Sequence, residues 1–234
     1  MPAGFQAFNT ATGSVQVDEN YANLALLTKV TITSAANGNW AATATLSVAS
    51  PTMPVVAVQS AVFVQLFRVY QSGGNWTFVY HAASAGAAIN CYVFGKPVAP
   101  SGSGAGLQVF DASGSLTFDS RLKYARVAQM ISGASYASTP AVTLPSGRTY
   151  AAVQCRYAGE YELAVQEDDG GPSGSLNQRE DFRGGLGLRI AGNVATPGYF
   201  QVFYRLMPTT LNVNDGYFVQ WQPYQWLILD VTGY

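Results

Sequence analysis

Residues 63–80 read FVQLFRVYQSGGNWTFVY. Two runs rich in Val, Phe, Leu, Tyr and Trp flank Gln71-Ser72-Gly73-Gly74-Asn75. Aromatic and β-branched residues suit a pleated, half-buried surface. Paired glycines reach turn conformations that other residues adopt only at a cost. The stretch predicts a β-hairpin. The same pattern extends outward in both directions. Thr43 to Val48 (TATLSV) alternates polar and apolar. In Ser115 to Asp119 (SLTFD), alternation places Leu116 and Phe118 on one face. Arg121 to Met130 (RLKYARVAQM) fits helical spacing only loosely, through Leu122, Ala125, Val127 and Met130, and reads as strand or short turn. Short strands separated by Gly, Asn, Ser and Pro predict an all-β chain.

Composition narrows what such a chain does. Hydrophobic residues make up 48% of the 234, ample for a core, and charged residues 11% with a net charge of −1, against roughly 25% charged in an ordinary soluble domain. A surface this neutral excludes electrostatic binding of nucleic acid. Aromatics at 13% exclude charge-driven disorder. No apolar run approaches the ~20 residues of a membrane-spanning helix. Met1-Pro2-Ala3-Gly4 lacks a basic segment leading into an apolar run, so no signal peptide is expected.

The sequence repeats itself. Gly4-Phe5-Gln6-Ala7-Phe8-Asn9, a turn, then Gly13-Ser14-Val15-Gln16-Val17-Asp18 is answered by Gly106-Leu107-Gln108-Val109-Phe110-Asp111, a turn, then Gly114-Ser115-Leu116-Thr117-Phe118-Asp119. Further on, Val56-Ala57-Val58-Gln59 is matched with Ala151-Ala152-Val153-Gln154, and Asn90 to Pro97 with Gln201 to Pro208. Three matches in one order argue for a duplicated module. At about 100 residues each, such modules suit antiparallel β-sandwiches. The expectation is two tandem sandwiches, residues 1–97 and 106–208, joined by a Pro/Gly/Ser linker at 98–105. One two-sheet domain built from both halves is the alternative. Phe8 and Phe110 are expected in equivalent buried positions. Gly13 and Gly114 serve the turns, and Asp18 and Asp119 end the returning strands with side chains able to accept backbone amides.

Candidates for chemistry are few. Cys91 and Cys155 lie in apolar runs 64 positions apart, which is no metal-ligand spacing; two free, mostly buried thiols are expected. His81 is the single histidine and reads as a strand-end residue without a catalytic role. Glu160, Glu162 and Asp181 would have to serve any glycoside hydrolysis, and nothing in their spacing favours it. No enzyme, metal or cofactor is expected.

Two segments distinguish the second half. Gln166 to Gly185 (QEDDGGPSGSLNQREDFRGG) fills the place of the Ser72–Asn75 turn and holds Glu167, Asp168, Asp169, Arg179, Glu180, Asp181 and Arg183. It reads as a solvated loop, a binding loop or simply a mobile one. Three adjacent acids lack the alternating spacing of a calcium loop. Residues 209–234 form an extension with no counterpart in the first half, carrying Tyr217, Phe218, Trp221, Tyr224, Trp226 and Tyr234. Those aromatics suit a covering strand, a partner contact or a saccharide platform. The candidate partner or receptor contacts are Asp168, Asp169, Arg179, Arg183, Trp221, Tyr224 and Trp226. Residues 1–103 hold only five charges, Asp18, Glu19, Lys29, Arg68 and Lys96. So little ionic surface favours burial against other protein.

The doubled motif, GFQAFNTATGSVQVDENYANL at 4–24 and GLQVFDASGSLTFDSRLKYARV at 106–127, resembles small tail-tip, baseplate and tail-fibre-associated structural proteins of tailed bacteriophages. The resemblance implies a non-enzymatic virion component, made in the host cytoplasm, that docks to other tail proteins (hub, fibre or tube). It implies a homo-oligomer, a trimer being the expected form, and supplies no catalytic residues. The alternative is a virion protein that attaches to a receptor or carbohydrate on the host surface.

Overall fold

The computed structural model describes residues 6–8, 15–18, 23–99, 104–133, 140–157, 159–166, 177–209 and 223–234, and the side chains of 23–99, 104–133, 140–157, 183–204 and 223–234. Among the described residues there are strands and turns and no helix. The first half supplies β1 (Gln6–Phe8), β2 (Val15–Asp18), β3 (Ala25–Thr33), β4 (Ala35–Asn37), β5 (Trp40–Ala49), β6 (Val55–Gln59), β7 (Val64–Ser72), β8 (Asn75–Ala82) and β9 (Ala88–Gly95). The second supplies β10 (Gln108–Phe110), β11 (Leu116–Asp119), β12 (Arg126–Gly133), β13 (Val142–Thr143), β14 (Tyr150–Arg156), β15 (Gly159–Gln166), β16 (Asn177–Ala191), β17 (Val194–Thr209) and β18 (Tyr224–Asp230).

The hairpin expected around Gly73 and Gly74 is β7–β8. Its two turn residues take φ of +57° and +83°, the left-handed pair that matches the twist of the flanking strands. In β5, Ala42, Ala44, Leu46 and Val48 are buried while Thr45, Ser47 and Ala49 face solvent, as alternation predicts. In β11 Leu116 and Phe118 share one face, as alternation predicts, and that face is the more exposed one. Thr117 and Asp119 are buried, and Leu116 and Phe118 are half-buried. The polar side chains turn inward because each finds partners there. Thr117 donates to the Val109 carbonyl, and Asp119 accepts from Gln108 and Arg121. A buried polar group costs little once paired. Phe110, expected in the core, is 49% exposed, and Val109 is buried instead. Phe8 lies outside the residues whose side chains are described.

Two sheets carry the molecule. A six-stranded antiparallel sheet runs β12-β18-β14-β6-β9-β3, and an eight-stranded one runs β13-β17-β16-β7-β8-β5-β4, with β15 as its eighth strand, paired to β16. Each is continuous across the two halves, through Ala152 opposite Val58 and Leu188 opposite Val64. Between the sheets lie two apolar clusters. One joins Leu46, Val56, Val64, Phe78, Tyr80 and Val93; the other joins Ile131, Tyr150, Leu186, Leu188, Tyr224 and Trp226. A third cluster, with Tyr92, Phe94, Ala151 and Leu229, lies on the reverse face of the six-stranded sheet. β17 also meets β5, at Phe203 opposite Trp40. That contact closes β5, β8, β7, β16 and β17 into a five-stranded ring.

Pairing shows which strands correspond. β9 lies between β3 and β6 as β18 lies between β12 and β14. β8 lies between β5 and β7 as β17 lies between β13 and β16. The hairpins β1–β2 and β10–β11 share a register, Gln6 opposite Asp18 and Gln108 opposite Asp119. These pairings correct three sequence matches. The counterpart of β9 is β18, not Gln201 to Pro208, so the aromatic C-terminal strand does have an equivalent in the first half. Val56 answers Ala152, one residue from the sequence match, since they oppose Val93 and Ile228 respectively. A one-residue slip would have sent every side chain to the wrong face. The counterpart of the Ser72–Asn75 turn is the turn at Gly192 and Asn193 between β16 and β17. The charged segment precedes that hairpin. Its part from Asn177 to Gly185 is strand, paired with both β15 and β17, and not a loop. Cys155 is exposed and Cys91 buried; both are free.

Candidate functional site

The residues singled out from sequence fall in different places. Tyr224 and Trp226 are each 2% exposed and pack in the second inter-sheet cluster. They anchor β18 within this chain and are not surface contacts. The hydrophobic gain from burying two large aromatics explains the placement. Arg179 lies on β16 opposite Met207, and its side chain is outside those described. Asp168, Asp169 and Trp221 lie outside the described residues. Arg183 is exposed, on β16 opposite Phe203. Its guanidinium sits 5.7 Å from the Trp40 ring and 5.5 Å from the Phe203 ring. Asp181 pairs with Leu163, not with Glu160 or Glu162, so backbone register does not bring the three carboxylates together.

Arg183 marks a site that sequence spacing did not reveal. Trp40 begins β5 and Phe203 lies on β17, 163 positions away, and their ring centroids are 4.5 Å apart. His81, on β8, lies 6.1 Å from Trp40 and stacks on Phe67 at 4.2 Å. Phe67 is the bulged residue of β7, between Leu66 and Arg68, and is 45% exposed. The result is a row of four rings, Phe67, His81, Trp40 and Phe203. His81 is 2% exposed, and its Nδ1 has no partner among the described residues; burial lowers its pKa from 6.5 to about 4. The imidazole is therefore neutral and out of reach of solvent-borne substrate.

Beside this row opens a cleft of about 370 Å³, lined by Gly38, Asn39, Trp40, Gln201, Phe203 and Tyr204 among others. Its floor is the seam that closes the five-stranded ring. The seam is held by the Phe203–Trp40 pair and by the Tyr204 N–H donating to the Asn39 carbonyl at 2.9 Å. Asn39 and Gln201 are exposed, and Tyr204 is 38% exposed. Gly185 on β16 has no room for a side chain, being pressed against the Gln65 amide and Val202. A methyl there would lie 2.6 Å from Val202 Cγ2.

A second cavity, about 110 Å³, lies where the two inter-sheet clusters meet, lined by Val58, Leu66, Tyr80, Gln154, Leu188 and Trp226 among others. Gln154 crosses it, accepting the Leu66 N–H at 2.8 Å and donating to the Leu66 carbonyl at 3.3 Å. The buried acids have structural partners. The Arg121 side chain, with the Arg121 N–H and Gln108, holds Asp119 well below the usual carboxylate range. Burial pushes Asp230 up, but hydrogen bonds from Thr232 and Arg148 and the charge of Arg126 bring it down to about 2. Among the described residues no cluster of His, Cys, Asp and Glu suits a metal ion, and no helix is long and apolar enough to cross a membrane. No family model, curated protein or solved structure matches this chain.

Proposed function

We propose that the chain is a duplicated β-sandwich module serving as a non-enzymatic structural component of a bacteriophage tail, at the tail tip or baseplate, and docking there to other tail proteins. The supporting observation is the outer strand β12. Among the described residues it ends the six-stranded sheet, paired with β18 alone, and exposes Val127 at 65% and Met130 at 53%. Val127 lies opposite Leu229 and Met130 opposite Leu227. A sheet edge with bare apolar side chains is a template for another chain, and a neighbouring subunit would cover it. The low charge of the first half and the doubled Gly-φ-Gln motif favour the same reading. Both sheets run across the two halves of the chain, so the halves would dock as one block.

The test is the protein in solution and in particles. Mass photometry of the purified chain should give an oligomer, a trimer on this proposal. Replacing Val127 and Met130 by Asp should return it to monomers and exclude it from virions. A wild-type monomer at all concentrations, with the double variant incorporated normally into infectious particles, overturns the proposal.

A further inference from the structure

We infer that the cavity of about 110 Å³ between the sheets is a binding site for a small uncharged molecule, apolar over most of its surface and carrying one hydrogen-bonding oxygen. This goes beyond the docking role and does not involve the β12 edge.

The cavity lies where the halves of the chain meet. β14 meets β6 at one paired position, Ala152 opposite Val58, and β16 meets β7 at one, Leu188 opposite Val64. All four residues line the cavity. Pairing at one position lets strands splay on either side of it, and the small Ala152 side chain fills little of the gap. Met53 also lines the cavity and is 56% exposed, which places the mouth at the loop between β5 and β6. Its thioether chain is flexible enough to yield to an entering molecule.

The lining sets the ligand chemistry. No charged residue is part of it, and an ion would lose its hydration there without a partner. Dry cavities of about 150 Å³ lined by aliphatic and aromatic groups take up benzene or xenon, so this one suits a single ring or a few carbons. Tyr80 supplies the one open polar contact. It lines the cavity and is 2% exposed, and its hydroxyl has no hydrogen-bond partner among the described residues. A hydroxyl left so is costly. Gln154, the other polar side chain in the lining, is engaged at both ends of its amide by Leu66. A buried water makes about three hydrogen bonds, more than these two side chains leave on offer. An apolar molecule with one oxygen needs only the Tyr80 hydroxyl.

The experiment titrates the full chain with phenol and with benzene, read by backbone amide NMR shifts and by melting temperature. Both probes should bind, raise the melting temperature and shift the amides of Val58, Val64, Ala152 and Leu188. Tyr80→Phe should weaken phenol binding about three- to tenfold and leave benzene binding unchanged. Ala152→Leu fills the cavity and should abolish binding of both probes; Ala152→Val, a smaller addition, should weaken it without loss of the fold. Absence of binding by both probes at millimolar concentration overturns the inference. So does binding that the Ala152 variants leave intact, which would place the probes elsewhere. Equal phenol affinity in wild type and Tyr80→Phe overturns the assignment of the oxygen to Tyr80. The oligomer measurement on the β12 variants reads the docking proposal separately.

Discussion

Cys91 and Trp226 hold matching places. Each lies on the middle strand of its half of the six-stranded sheet and points between the sheets. Each is paired with its own half's inner strand, Cys91 with Val58 and Trp226 with Gln154. Around them the outer strands bulge at matching points, Leu27 in β3 and Ala128 in β12. On the reverse face, Lys29 lies opposite Tyr92, its ammonium 5.0 Å from the ring, where the second half has Met130 opposite Leu227. The pairing is held constant while the volumes are not. One half places a small thiol beside an apolar residue, the other an indole beside an amide. Ladder hydrogen bonds depend on backbone and turns alone, so they tolerate such exchange.

The largest expected effect breaks this symmetry at its heaviest point. Trp226→Ala should cost about 3–5 kcal/mol, read by urea unfolding. Cys91→Ala at the matching place should cost only about 1 kcal/mol. Equal losses would show that matching pairing carries matching packing, and the contrast between the two halves would fail. Next comes the residue opposite Trp226. Gln154→Ala leaves the Leu66 N–H buried without its acceptor, a loss of about 1–3 kcal/mol. Val58→Ala, the counterpart, removes only apolar volume. A Gln154→Leu variant that is as stable as wild type would show that the amide is not needed to hold the two halves together.

A pH titration sharpens the comparison, because His81 has no equivalent histidine in the second half. Its folded pKa is lowered from 6.5 to about 4 by burial. Above pH 6.5 it is neutral in both states and costs nothing. As pH falls from 6.5 to about 4, the unfolded chain takes up a proton that the folded chain resists. Stability therefore declines across that window and levels off below it. The decline should be about 2 kcal/mol, allowing for partial screening. His81→Gln should flatten the curve of melting temperature between pH 7 and 4.5. The carboxylates act lower still. Asp230 keeps its contribution above pH 4 and loses it as pH falls towards 2. A histidine variant with an unchanged slope would show that His81 is accessible to protons in the fold.

Strand class is legible in the sequence because alternation and paired glycines are local signals. β5 and the β7–β8 turn follow from a few residues each. Correspondence between the halves is harder to read. Gln201 to Pro208 resembles Asn90 to Pro97 in aromatic content, yet Tyr224 to Asp230 is the strand that occupies the matching place. Composition does not encode which neighbours a strand hydrogen-bonds. Tyr224 and Trp226 look like contacts in the sequence for the same reason: aromatic density reports binding surface and core alike. The seam cleft is invisible there. Trp40 and His81 lie 120 or more positions from Gln201 and Phe203, and only ring closure joins the two groups. Of the cleft's neighbours, Arg183 alone stands out in the sequence, through the charge of its segment.

The smallest expected effect exchanges the residues that differ most in character between the halves, Lys29 and Met130. Met130 is 53% exposed, and beside it Gln225 Nε2 approaches its sulfur at 3.2 Å. Surface replacements of this kind change folding stability by about 0.5 kcal/mol or less. Met130→Lys should therefore leave the melting temperature nearly unchanged. It should still act on association, because a lysine on an edge strand opposes pairing with another chain. That is the role Lys29 plays on β3, where the ammonium also covers Tyr92. The reverse change, Lys29→Met, should make the first half's edge as adhesive as the second's. Sedimentation velocity of the two variants separates the cases. Weaker self-association in Met130→Lys and stronger in Lys29→Met would assign docking to the edge chemistry of β12. No change in either would mean that the two edges do not differ in use, and that the contrast between the halves concerns packing alone.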